Sequence, residues 1–229
     1  MISTQKRISL FCGHYGSGKT NIAINYACML RAAGLAVSVA DMDIVNPYFR
    51  TADSRQELES AGVELISPQF ANSNVDLPAL PAQAYKLVQD KRCYGIMDIG
   101  GDDRGAYALG RYVPYMKQEK NYRMVYVANC YRPLTRTAAE ALEVMREIEA
   151  ACGLAFTDIV NNSNLASETD VQAVLNSRDY IQELSERSGL PVFMTTVRAD
   201  LAERLCGQIP NVLPLHLQEK YFDLPDQKL

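Results

Sequence analysis

The chain has 229 residues, 48% of them hydrophobic, with 23 lysines and arginines against 27 acidic residues and a formal net charge of −4. That apolar content is enough for one packed core, and the acidic balance argues against a nucleic-acid partner, whose protein surface is basic. Six cysteines lie apart with no C-x-x-C pair, and no apolar run approaches the 18 residues of a membrane helix. The first apolar stretch begins too early to leave room for a signal peptide. These features point to a single cytoplasmic domain over residues 1–229, with reduced thiols and no membrane partner.

Ile8 to Cys12 reads as a buried parallel strand. The next eight residues, Gly13-His14-Tyr15-Gly16-Ser17-Gly18-Lys19-Thr20, meet every fixed position of the phosphate-loop pattern G-x-x-x-x-G-K-[ST]. Behind them Ile22, Ala23, Tyr26, Ala27, Leu30 and Ala33 recur at helical spacing from Asn21 onward. Strand, glycine loop and helix form the context the pattern requires. Glycines let the backbone approach phosphate oxygens, and the loop N–H groups with the helix N-terminus make an anion-binding nest. Residues 13 to 18 and Asn21 are therefore candidates to hold a nucleotide. Lys19 is placed for the β- and γ-phosphates and the Thr20 hydroxyl for Mg²⁺.

Gly34 caps this helix, and a strand over 35–40 delivers Asp41-Met42-Asp43 to its carboxyl edge. After the loop 44–50 come a short helix to Ala61 with a Gly62 cap, a strand at 63–66, an irregular stretch at 67–81 and a helix at 82–91. Tyr94 to Met97 is a strand ending at Asp98-Ile99-Gly100-Gly101. An apolar strand ending in Asp is a Walker B position, whose carboxylate reaches Mg²⁺, and the D-x-x-G spacing lets the Gly101 N–H meet a γ-phosphate. Further on are a helix at 104–117, a strand at 124–128 and a Thr137-x-x-Glu140 capping box opening a helix to Cys152. A strand over 156–160 leads into Asn161-Asn162-Ser163-Asn164. Ser167-x-x-Asp170 opens a long helix to Ser188, and 192–197 reads as the last strand, before a short helix at 200–205. Strands and helices alternate throughout. The expected fold is α/β, a doubly wound, mainly parallel sheet with helices on both faces.

Three stretches together, GHYGSGKT at 13–20, DMDIVNP at 41–47 and YGIMDIGG at 94–101, resemble the MinD/ParA group of P-loop ATPases, which also includes the nitrogenase iron protein. The resemblance covers essentially the whole chain in element order. It implies an ATP hydrolase acting as a nucleotide-driven switch, slow without a partner, with Mg²⁺ as cofactor, and with a homodimer and a protein of unknown identity as its partners. By position it gives Lys19 and Thr20 to phosphate and Mg²⁺, Asp43 to the attacking water, Asp41 to the metal shell, Asp98 to Walker B and Asn161 to adenine. The chain departs from the group at His14, where many members carry a lysine that reaches into the partner subunit's nucleotide, and at Tyr15, which replaces a glycine.

Two other readings stay open. A small-molecule kinase or ATP-dependent ligase resembling dethiobiotin synthetase needs a basic substrate pocket, for which Arg50, Arg104 and Arg132 are candidates. A GTPase metallochaperone needs an N-K-x-D loop. The nearest match, residues 161–164, has neither the lysine nor the carboxylate.

Overall fold

Among the described residues, eight strands pair in parallel to make one sheet in the order β3-β2-β4-β1-β5-β6-β7-β8. The computed structural model describes residues 5–42, 55–66, 82–101 and 103–217, without the side chains of residues 103 and 104. The strands are β1 Ile8–Cys12, β2 Val37–Met42, β3 Glu64–Ile66, β4 Tyr94–Ile99, β5 Tyr122–Ala128, β6 Asp158–Asn161, β7 Val192–Arg198 and β8 Val212–Leu215. The helices between them are α1 Lys19–Ala32, α2 Arg55–Ser60, α3 Tyr85–Gln89, α4 Asp103–Leu109, α5 Val113–Glu119, α6 Ala138–Cys152, α7 Val171–Asn176, α8 Arg178–Ser188 and α9 Ala199–Leu205.

The central strands β1, β4 and β5 are buried at every position but Tyr94 and Tyr122, because both faces of the sheet are covered. Successive residues point to opposite sides, so each strand feeds two cores. Leu10, Met97 and Tyr126 pack into one with Leu109 of α4, Met116 of α5 and Met145 of α6. Their neighbours Phe11, Ile96 and Val125 pack into the other with Ile22, Tyr26 and Leu30 of α1. The result is the three-layer, doubly wound arrangement expected from the alternation of elements.

Where local signals were strong, the elements fall as expected. The Thr137 side chain accepts from Glu140 N, the Glu140 carboxylate accepts from Thr137 N, and Gly153 closes α6 in the left-handed conformation. Elsewhere the structure corrects the reading. The helix expected over 104–117 is two, α4 and α5, separated at Gly110 and restarted with Pro114 in the first turn of α5, where a missing N–H breaks no bond. The long helix expected from Ser167 starts later. Asp170 is its cap, accepting from Ala173 N, and the helix is interrupted at Ser177. An eighth strand follows α9. Its exposed Pro214 masks a strand pattern in sequence, yet at a sheet edge a residue without an N–H loses no ladder bond. The strand expected over 35–40 runs to Met42, so Asp41 lies inside it. Among the described residues no helix is long and apolar enough to cross a membrane.

Candidate nucleotide site

β1 lies between β4 and β5 in mid-sheet, and the glycine loop leaves its carboxyl end. Ligands of open parallel sheets bind at this edge. α1 begins at Lys19 behind the loop. Its N-cap, Gly18, has φ 93°, offers no side-chain cap, and no acid sits in the first turn. The first N–H groups of α1 are thus left for an external acceptor, and the helix dipole favours an anion there. A side chain on Gly18 is excluded twice, by its backbone angle and by Asn162 Nδ2, 2.2 Å from where a Cβ would stand.

Lys19 is 5% exposed, and its Nζ donates to Gly13 O and His14 O, both at 3.1 Å. The ammonium is therefore curled over the loop's own carbonyls. The Thr20 hydroxyl donates to Asp98 Oδ2 at 2.6 Å, and both residues are buried. Asp41 of β2 stands in register beside Asp98 of β4 and is also buried. Thr20, Asp98 and Asp41 thus bring together hard oxygen donors only. Among the described residues no group of three His, Cys, Asp or Glu could hold a metal alone. That donor set suits Mg²⁺, which takes one or two carboxylates and completes its shell with water and substrate phosphate. Gly101 closes the site from β4. A Cβ there would lie 2.8 Å from Tyr15 N and 2.9 Å from Lys19 Nζ. Only a glycine lets the end of β4 come this near the loop.

Asn162 is the residue the sequence reading missed. Its Nδ2 donates to Ser17 O at 2.6 Å, while its Oδ1 accepts from Thr196 of β7 at 2.6 Å. One buried amide therefore ties the phosphate loop to two strands. Two asparagines at a strand's end were the available signal, because consecutive residues there face opposite ways. Asn161, the adenine candidate, is 1% exposed, with Nδ2 donating to Ser177 Oγ at 2.9 Å and Oδ1 accepting from Ser163 N at 3.1 Å. Asn164 is engaged inside its own turn, accepting from Ala166 N and donating to Asn162 O. His14 Nδ1 lies 3.0 Å from Tyr15 O, and Tyr15 is 57% exposed. Asp43 and the loop 44–50 lie outside the described residues.

Polar capacity is left over here. Ser17 Oγ, Asn21 Oδ1, Asn129 Nδ2 and Arg132 Nε are buried without a hydrogen-bond partner among the described residues. All four sit on the loop, on the first turn of α1, or on the turn between β5 and α6. Buried polar groups are ordinarily satisfied, so a cluster of exceptions marks a place built for something else. The thiol at the end of β1 is not a competing reactive group. Burial pushes Cys12 far up, and it stays protonated.

An all-parallel doubly wound sheet with this loop after its central strand is the fold of the P-loop nucleoside triphosphatases. Solved structures carry the same fold. FtsY, the signal recognition particle receptor of Elizabethkingia anophelis, aligns with 95% of this chain at 19% identity and a TM-score of 0.54. FtsY of Thermotoga maritima aligns with 83% at 19% identity and 0.52. The 54 kDa signal recognition particle protein of Aeropyrum pernix, in complex with GDP, aligns with 85% at 16% identity and 0.55. The chain spans 64%, 61% and 42% of those proteins, respectively. No family model matches the sequence, and no curated protein matches it.

Proposed function

We propose that the chain binds and hydrolyses a nucleoside triphosphate with Mg²⁺, and that it works as a nucleotide-driven switch of the MinD/ParA type with ATP as its nucleotide. The observation that carries this reading is the convergence at one sheet edge of an uncapped helix N-terminus, the buried Lys19 and the Thr20–Asp98 pair. Phosphoryl transfer asks a protein for little covalent chemistry and much positioning and charge neutralisation. Lys19 gives up its loop carbonyls for phosphate oxygens. Thr20, Asp98 and Asp41 would hold Mg²⁺, which would neutralise phosphate charge. Asp43 orients the attacking water, a role carried by the resemblance alone. The Gly101 N–H senses the terminal phosphate, so the β4–α4 connection is where triphosphate and diphosphate states differ.

A GTPase is the second reading, favoured by the GDP in the Aeropyrum structure. Against it stands position 164, where an asparagine replaces the carboxylate that pairs with guanine N1 and N2 hydrogens. Phosphate release from Mg²⁺-ATP and from Mg²⁺-GTP, with wild type and Asp43→Ala, tests the proposal. The expected result is slow turnover of ATP in preference to GTP, stopped in Asp43→Ala with ATP still bound. Faster GTP turnover overturns the choice of base. Release of neither phosphate, with no nucleotide bound, overturns the function.

A further inference from the structure

The turn between β5 and α6 carries an arginine that neither the motif nor the metal set uses. Its backbone is held from several sides. Arg132 N donates to Asn129 O at 3.2 Å, Thr135 N to Arg132 O at 3.3 Å, and Thr135 Oγ1 to Asn129 O at 2.9 Å. Just before it, Tyr131 N donates to Asn129 Oδ1, Tyr131 OH reaches Ala173 O at 2.7 Å, and Cys130 N donates to Ser163 Oγ at 3.2 Å. Leu134 is kept at φ 65°, a conformation a leucine rarely adopts. The turn is anchored to the β6 end of the fold, and Arg132 is not an arginine waving in solvent.

Its guanidinium lies over the middle of the phosphate loop. A Cβ on Gly16 would stand 3.8 Å from Arg132 Nε and 3.9 Å from Cζ. The Nε is buried with no hydrogen-bond partner, and among the described residues Arg132 forms no ion pair. Arg7, Arg92, Arg187 and Arg198 each have a carboxylate within 3.1 Å. A partly desolvated, unneutralised guanidinium is costly unless an anion comes to it. Its planar fork is the donor best matched to phosphate oxygens. At position 14, meanwhile, His14 has a ring nitrogen engaged with Tyr15 O within its own loop.

We propose that Arg132 is a catalytic residue acting in cis, its guanidinium binding phosphate oxygens of the nucleotide held on its own chain's loop. This rests on the nucleotide-hydrolysis reading above and adds the cation that the resembling ATPases draw from a partner subunit. In the step it serves, water oxygen bonds to the terminal phosphorus as the bond from that phosphorus to the bridging oxygen breaks. The electron pair stays on the diphosphate, and the proton lost by water leaves with inorganic phosphate. Charge builds on the bridging and terminal oxygens, and a fixed cation there lowers the barrier more than it tightens ground-state binding.

The test compares wild type with Arg132→Ala and Arg132→Lys, using whichever of Mg²⁺-ATP and Mg²⁺-GTP the wild type turns over. Calorimetry with the matching Mg²⁺-diphosphate, with and without aluminium fluoride as transition-state mimic, is run beside steady-state kinetics. Arg132→Ala should lower kcat by about 10³-fold, the lower end of what such arginines supply. Diphosphate affinity should hold within about threefold, and the tightening by aluminium fluoride should vanish. Arg132→Lys should fall between. Mixing Arg132→Ala with Lys19→Ala should restore nothing, because each chain must carry both groups. Unchanged kcat and retained fluoride trapping in Arg132→Ala would overturn the proposal and leave nucleotide hydrolysis standing. Recovery of activity on mixing would overturn the cis assignment. A wild type that binds neither nucleotide overturns the proposal together with the reading beneath it.

Discussion

The two ends of the central strands both bury charge, and they treat it in opposite ways. At the amino end, Arg7 precedes β1 and spends every donor it has. Its Nε and Nη2 grip the Glu119 carboxylate, and its Nη1 reaches Leu87 O, Asp90 O and Cys93 O. Lys91 adds a second cation to Glu119 at 2.6 Å. Nearby, Arg123 pairs with Asp158 at 3.1 Å, off the hydrogen-bond line, and covers the Phe193 ring at 3.6 Å. At the carboxyl end, Lys19 donates to backbone carbonyls, and among the described residues four polar atoms are buried without hydrogen-bond partners and Arg132 forms no ion pair. Charge neutralised inside the chain holds a fold together. A half-buried guanidinium with no ion pair among the described residues, set beside unsatisfied polar atoms at a sheet edge, has been kept for a ligand.

The contrast is broken most sharply by removing Glu119. Glu119→Ala leaves the Arg7 guanidinium buried without its anion, and loss of one partner of a buried pair costs about 3–5 kcal/mol. Chemical denaturation should show that loss while nucleotide affinity, if the two ends are separate, stays unchanged. A large drop in affinity with intact stability would reverse the assignment of the two ends.

Gly101→Ala sharpens the same contrast from the other side. The new methyl meets the backbone of Tyr15, which cannot move aside as a flexible side chain can. Overpacking of this kind costs about 1–3 kcal/mol, and here the strain falls on the phosphate loop. Triphosphate affinity should fall along with a drop of several degrees in the melting temperature. If the melting temperature drops and affinity holds, Gly101 belongs to the core and not to the site.

Asn162→Ala touches both properties. It removes the donor to the Ser17 carbonyl and the acceptor for the Thr196 hydroxyl, leaving buried groups unpaired at about 1–3 kcal/mol. Stability and nucleotide affinity should decline together, and bound Mg²⁺-nucleotide should recover part of the stability. A variant with wild-type affinity would mean the loop keeps its shape without the tether.

The smallest expected effect is on pH dependence. Burial works to raise the Glu119 carboxyl, but the hydrogen bonds from Arg7 and Lys91 outweigh it and hold the group below the usual carboxylate range. With its folded value depressed, its contribution is complete above the unfolded value and is lost as pH falls through the folded one. Unfolding free energy should therefore decline on acidification below about pH 4.3, the ordinary Glu value. That part of the slope should be absent in Glu119→Gln. An identical acid profile in the variant would remove Glu119 from the account.

How much of this was legible in sequence follows from how local each signal is. Gly13 to Thr20 is one contiguous turn, and its meaning depends only on the strand before it and the helix after it. Asp98 could be found because an acid after an apolar strand run stands near the carboxyl edge of the sheet whatever its neighbours are. Asn162 and Arg132 are different. Their partners Ser17 and Gly16 are more than a hundred residues away, and they meet only because β5 lies beside β1 and β6 beside β5 in the sheet order. No spacing rule encodes that adjacency, so Arg132 appeared only as one of three candidate anion binders. The helix errors have a local cause. Ser167 and Asp170 are both good N-caps, and tertiary packing decides between them.

The central claim is that nucleotide phosphates bind on the glycine loop, with Lys19 as their counter-charge. Calorimetric titration of Mg²⁺-ATP and Mg²⁺-GTP into wild type and Lys19→Ala tests it directly. The account predicts one site per chain in wild type and affinity lower by about 2–5 kcal/mol in the variant, the cost of truncating one partner of a buried charge pair. The same affinity in both proteins, or no binding to the wild type, would contradict it.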